Sequence, residues 1–246
     1  MTAGFEWEGP DDMYHSWGDA VWSGNPVEHV LNQSMQYEPG TNWYYNGGCS
    51  HLLSAILTRT TGNSTLNFAK KYLFEPVNVT KVYWPIDPQR IYYGGQDIRL
   101  IPPDMAKLGY LFLNNGTWNG EQVVSKEWVQ NSTQTSFSFN ANEGYGYQWW
   151  TYKLLNAYFA WGNFEQRIII LPDPDLVVVF TAEIDDISIE PDLLFNYILP
   201  AVLDKEYTTV VTHNTSASTL LNALISFFGV ILVSSWFTKQ KRRKRI

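Results

Sequence analysis

The order of elements along this chain predicts an α+β fold, an antiparallel sheet flanked by helices, with one transmembrane helix at the C-terminus. Three observations carry this. Apolar residues recur at helical spacing between about residues 47 and 113, and the period shortens to that of strands after Gly144. From Thr219 to Phe237 the chain then reads TLLNALISFFGVILVSSWF, nineteen residues without a charge.

The first helix follows Tyr44-Tyr45-Asn46-Gly47-Gly48, with Leu52, Leu53, Ile56 and Leu57 at helical spacing and Gly62 as its stop. A second, short helix covers Ser64 to Phe74, after which Pro76 and Pro85 break the chain. Pro102-Pro103-Asp104 opens a third that runs through Met105, Leu108 and Leu111 to Asn114-Asn115-Gly116. Ser125 caps a fourth, with Trp128 expected on its buried side. Four strands are predicted at Tyr145–Tyr152, Ala157–Gly162, Arg167–Leu171 and Leu176–Thr181, separated by turn residues such as Pro172-Asp173-Pro174-Asp175. Ile187 to Leu203 reads as a final helix packed on the sheet.

Charge is distributed unevenly. Of the 17 Lys and Arg residues, six fall in the last eight positions, leaving 11 basic and 24 acidic residues, a net of −13, in everything before them. A body this acidic argues against nucleic acid as a partner, because phosphate binding draws on clustered cations. The single cysteine, Cys49, excludes an intramolecular disulfide and a multi-cysteine metal site, and reads as a small packing residue. His15, His29, His51 and His213 show no metal-ligand spacing, and His51 reads as a helix-face residue. Asp11-Asp12 and Asp185-Asp186 read as solvated loop pairs, and Trp149-Trp150 as core packing before a sugar-binding face.

The uncharged stretch would make about 28 Å of helix, at ~1.5 Å per residue, which nearly matches a bilayer core. The sequence KQKRRKRI follows it and marks the cytoplasmic side. The expected organisation is therefore a domain over 1–203, a Ser/Thr-rich stalk over 204–218, a transmembrane helix over 219–238 and a basic cytoplasmic tail over 239–246. The expected location is the cell membrane, with the body outside. Six Asn-x-Ser/Thr sequons, at Asn32, Asn63, Asn78, Asn115, Asn131 and Asn214, exceed the roughly two or three that composition would give and fit an extracytoplasmic, glycosylated body. Met1 to Pro10 shows no targeting segment, so the true beginning is expected upstream, with Met1 as an internal methionine.

The segments YYNGGCSHLLSAILTRTTG, FAKKYLFEPVNV, DIRLIPPDMAKLGYLFLNNGTWNGEQVVSKEWV, YGYQWW and RIIILPDPDLVVVFTA, in this order and spacing, resemble the C-terminal two-thirds of the serine β-lactamase and penicillin-binding-protein family, and its class C-like esterases and amide hydrolases most. The resemblance covers about Met1 to Leu203. It implies a β-lactamase/transpeptidase-like fold, here N-terminally truncated, a small-molecule or peptide substrate and no cofactor. The family's reaction is a two-step acyl transfer through a serine in an S-x-x-K turn, with the lysine and the tyrosine of a Y-x-N motif managing the proton. Tyr44-Tyr45-Asn46 matches Y-x-N. The resemblance thus gives Tyr44 the proton-managing phenol, which requires nearby cations to depress a pKa near ~10, and Asn46 the orientation of lysine and substrate carbonyl.

Two departures bear on activity. No S-x-x-K occurs anywhere in the chain. The family's K/H/Y-x-G turn, which reads G-Y-G-G-Q in the most similar branch, falls on Gly162-Asn163-Phe164-Glu165-Gln166. Gly162 and Gln166 fit as substrate-binding positions, whereas Phe164 and Glu165 replace both inner glycines, so the turn is expected to be obstructed and to carry a negative charge beside a developing oxyanion. The expectation is a membrane-anchored β-lactamase-related serine hydrolase, inactive as this chain alone. The alternative is a non-catalytic surface protein that binds peptide or glycan on the same scaffold.

Overall fold

The computed structural model describes residues 1–7, 13–183, 189–203 and 231–232, the backbone alone at 13–17 and 231–232. The chain divides into two compact units, Met1–Leu100 and Ile101–Ile246.

In the first unit, α1 (Met13–Trp22) and α2 (Pro26–Leu31) precede α3 (Gly47–Thr61), and α4 (Thr65–Ala69) runs into a π-helical turn at Lys70–Phe74. Local chemistry sets the ends. Asn25 accepts the Glu28 amide ahead of Pro26, Ser64 Oγ accepts the Asn67 amide, and Gly62 ends α3 in the left-handed conformation (φ 67°), its N–H bonded to the Thr58 carbonyl. Neither α1 nor α2 is signalled by a clear apolar period; both form because Ala20 and Val30 pack with Trp7 in a small core, against which Phe5, Val21, Tyr44, Leu52 and Tyr93 lean. The apolar spacing in α3 misleads about its buried face. Leu53 and Ile56 are exposed, and the face turned inward is Gly48, Ser50, His51 and Ser54. A Cβ on Gly48 would stand 2.5 Å from Val30 Cγ2 and 2.7 Å from Trp7 Cη2, so the small residue is what lets α3 approach this core.

The second unit is a layered α/sheet/α arrangement. Strands β3 (Phe137–Ser138), β4 (Glu143–Tyr145), β5 (Trp150–Tyr152), β6 (Ala157–Gly162), β7 (Gln166–Leu171) and β8 (Leu176–Phe180) form an antiparallel meander, each beside its successor; a separate hairpin joins β1 (Thr117–Trp118) to β2 (Glu121–Gln122) through Asn119-Gly120. Along β7 and β8 the side chains alternate between two cores. Ile168, Ile170, Val177 and Val179 meet Ala106 of α5 (Pro102–Leu113), while Ile169, Leu171, Leu176, Val178 and Phe180 meet Leu194, Ile198 and Leu199 in the segment of α7 (Ile189–Leu193), a π-helical turn (Leu194–Ile198) and α8 (Leu199–Leu203). Both faces are covered, which explains the continuous apolar reading of these strands.

Two expectations need correction, and a third falls largely on residues that are not described. Trp128 is exposed, because α6 (Lys126–Thr133), capped as expected by Ser125, turns Val129 and Ser132 inward instead. Tyr145–Tyr152 is not one strand but the end of β4, a turn and β5; Gln148 adopts a left-handed φ of 66° and the Gly146 amide donates to the Trp149 carbonyl. The transmembrane helix expected over 219–238 lies outside the described residues apart from Ile231–Leu232, and these form β9, an extended pair bonded to Val178 and Val179 of β8. Among the described residues no helix is long and apolar enough to cross a membrane. The stalk, the basic tail, Asn214 and both Asp pairs lie outside the described residues.

Candidate active site

Tyr44 and Asn46 belong to the first unit, Gly162 and Gln166 to the second. Tyr44 is half-buried against the Trp7–Ala20–Val30 core, and its amide donates to the Met1 carbonyl at 2.9 Å. It is neither sealed within packed side chains nor fully exposed. Asn46 is buried, in extended backbone (φ −142°, ψ 101°), and caps α3 by accepting the Cys49 amide on Oδ1 at 2.9 Å. The motif therefore sits at the first turn of a helix. Beside it, burial raises the pKa of the Tyr45 phenol and that of the Cys49 thiol, the latter opposed by the positive N-terminus.

The structure adds a pair at this turn that spacing alone did not single out. His51 and Asp87 are both fully buried, with His51 Nε2 3.1 Å from Asp87 Oδ2. The Gly94 amide donates to His51 Nδ1 at 3.3 Å, and the Ile91 amide donates to Asp87 Oδ1 at 2.8 Å. With Nδ1 accepting, Nε2 carries the proton and donates to Asp87. Burial holds the imidazole pKa below its ordinary value, against the pull of Asp87. The sequence signal was a histidine on a helix face whose neighbours are small and polar.

In the second unit, Gly162 and Gln166 form the closing pair of the β6–β7 hairpin. Gly162 is exposed, and a Cβ on it would meet only Gln166, at 3.4 Å, so the turn does not require glycine there. Gln166 Nε2 donates to the carbonyls of Phe164, at 3.0 Å, and Ala182. Between them, Phe164 (φ 53°) and Glu165 (φ 63°) both adopt the left-handed conformation that glycine favours. The turn thus keeps a glycine-type backbone with other residues on it. The carboxylate expected at this turn is turned inward: Glu165 is buried, accepts from Trp161 Nε1 at 3.2 Å, and pairs with Arg167 through Nε, at 2.9 Å, and Nη2. Arg167 lies over the Trp161 ring, 4.3 Å from its centroid, and also meets Glu190 of α7, Nε to Oε2 at 2.5 Å. One buried guanidinium is therefore shared by two carboxylates. Burial, and secondarily the Glu165 charge, push the Glu190 carboxyl up to about 8 despite Arg167.

The second unit is an antiparallel meander between helical layers with a tight turn ahead of a buried strand, and the first unit carries Tyr-x-Asn at the start of a helix. Residues 1–187 match the family model described as Beta-lactamase, and the chain belongs to that family. A lovastatin esterase of Penicillium rubens is 25% identical over 91 residues, 37% of this chain and 22% of the esterase. Among solved structures, a candidate 6-aminohexanoate-dimer hydrolase from Bacillus anthracis superposes with a TM-score of 0.64 at 20% identity, covering 74% of this chain and 52% of that one. A penicillin-binding protein from Bacillus halodurans gives a TM-score of 0.60 at 14% identity, over 74% and 66%. These likenesses concern the fold, and the chain spans only part of each relative's length.

Proposed function

We propose that this chain carries the tyrosine–asparagine half of an acyl-transfer site acting on an amide, ester or peptide, and that alone it turns over no substrate. The observation that carries the reading is the Tyr44–Asn46 motif at the capped first turn of α3. In this reading the Tyr44 phenol exchanges the proton of an attacking serine hydroxyl and a neighbouring ammonium group, and Asn46 donates to the substrate carbonyl. No S-x-x-K occurs in the sequence to supply that serine and lysine.

The test is hydrolysis of a chromogenic β-lactam and of p-nitrophenyl esters by this chain and by the same chain with whatever coding sequence precedes Met1 in frame. No turnover by the chain, and turnover by the extended form that Tyr44→Phe abolishes, support the reading. Turnover by the chain itself, or an extended form indifferent to Tyr44→Phe, overturns it. A stop codon directly upstream would favour a non-catalytic surface protein binding peptide or glycan.

We further propose that the body faces outside, tethered through the apolar stretch after residue 218. The uncharged nineteen residues, the basic cluster after them and the exposure of all five described sequon asparagines (Asn32, Asn63, Asn78, Asn115 and Asn131) support this. Alkaline carbonate extraction of the full chain and of a form ending at Ser218 tests it. Release of the full chain from membranes would sink the tether.

A further inference from the structure

We propose that His51 and Asp87 are positioning residues of the Tyr44–Asn46 site: their buried pair pins the 87–95 segment across the first turn of α3 and thereby fixes the frame on which both site residues stand. The inference rests on the acyl-transfer reading for its meaning, while the geometry concerns the first unit alone.

The segment is held at successive residues. The Asp87 amide donates to the Ile91 carbonyl at 2.8 Å, and Asp87 Oδ1 receives the Ile91 amide, closing a turn on itself. The carbonyls of Tyr92 and Tyr93 then accept from Ser54 Oγ at 2.6 Å and Trp84 Nε1 at 2.7 Å, and the Gly94 amide reaches His51. Beyond that point the segment lies directly on helix backbone. A Cβ on Gly94 would stand 3.0 Å from His51 Cα, and one on Gly95 2.5 Å from the Gly47 carbonyl oxygen. Gly47 is the residue after Asn46. Tyr93, between Tyr92 and Gly94, packs on the same small core as Tyr44 and lies 5.6 Å from the His51 ring, centroid to centroid.

A catalytic dyad is the obvious rival, and the hydrogen bonds exclude it. Both imidazole nitrogens are engaged within the protein and both side chains have no exposed surface, so neither can reach a reacting atom. Simple packing explains the pair poorly, since burying an ionisable pair carries a desolvation cost that apolar residues at both 51 and 87 would avoid. What apolar side chains cannot supply is direction: an acceptor aimed at the Gly94 amide, and a carboxylate at 87 that takes both the His51 proton and the Ile91 amide.

The experiment follows the full chain by nitrogen-15 NMR and amide hydrogen exchange. His51 is expected as the Nε2–H tautomer, protonating below the pH at which an ordinary imidazole does. His51→Leu is expected to unfold cooperatively still, yet to exchange the Gly47, Cys49 and Gly94 amides at least tenfold faster and to shift the Tyr44 ring signals, with the β6–β8 amides unchanged. His51→Asn, which retains an acceptor at the Nδ1 position, recovers most of the Gly94 protection. Should His51→Leu fail to fold, Gly94→Ala displaces the segment with the pair intact and is expected to give the same local loss. Wild-type exchange and ring signals in either folded variant, or equal loss in His51→Asn and His51→Leu, would overturn the proposal. Because exchange does not depend on turnover, an extended chain indifferent to Tyr44→Phe would remove the hydrolase reading and leave the clamp standing.

Discussion

Asn46 Oδ1 accepts the Cys49 amide at 2.9 Å, so the residue assigned to a substrate carbonyl also caps the helix that carries it. Its two ends are separable, because the cap uses the oxygen and the proposed substrate contact uses the Nδ2 donor.

Asn46→Ala therefore removes a helix cap and should cost about 1 kcal/mol, whereas Asn46→Ser keeps a neutral capping oxygen and should lose less. Urea unfolding of the two variants checks this. Equal loss in both would mean that the capping bond contributes little.

Gly109 lies within α5, where alanine would ordinarily gain up to ~1 kcal/mol of helix propensity. Its Cβ would however stand 2.6 Å from Val177 Cγ1 and 2.8 Å from Ile168 Cγ2. Overpacking of this kind costs about 1–3 kcal/mol, so Gly109→Ala is expected to destabilise, and a raised unfolding midpoint would contradict the packing described for this face.

At the β6–β7 turn, Phe164 holds φ 53° with its side chain half exposed. A non-glycine residue in that region stores about 1 kcal/mol of strain, against which glycine loses backbone entropy on folding. Phe164→Gly should thus be neutral or mildly stabilising, measured as thermal midpoint. A loss above ~1 kcal/mol would show that the phenyl ring packs better than its exposure suggests.

The Glu190 carboxyl is pushed up to about 8 by burial. Its folded-state pKa exceeds the ordinary value, so between roughly pH 5 and pH 8 the folded chain retains a proton that the unfolded chain has released, and stability falls as pH rises through that window. Denaturation midpoints at pH 5.5 and 8 should differ in that direction, and Glu190→Gln should flatten the difference. Arg167→Met leaves Glu165 and Glu190 without their shared cation and should cost about 3–5 kcal/mol at pH 8. Unchanged pH dependence in Glu190→Gln would assign the slope to another group.

Most elements were legible in the sequence, and the reasons are local. Gly62 stops α3, Pro102 opens α5, Ser125 caps α6 and the turn at Pro172–Asp175 separates β7 from β8, each through interactions with residues a few positions away. What local pattern could not supply was direction. Trp128, Leu53 and Ile56 are exposed although apolar, and α3 buries polar and small residues, because its neighbours are a tight core and the 87–95 segment rather than a second apolar face.

The sequence by itself determined the helix–meander–helix order, the family motif at 44–46 and the position of the glycine-type turn at 162–166. Only the tertiary structure decided that Glu165 folds inward onto Arg167, that Glu190 joins it from α7, and that His51 meets Asp87 across 36 positions. The division has one physical cause. Caps, turns and periodicity are energies between near neighbours along the chain, while a buried charge is stable only where distant segments supply its partner, and no local pattern specifies which segments those are.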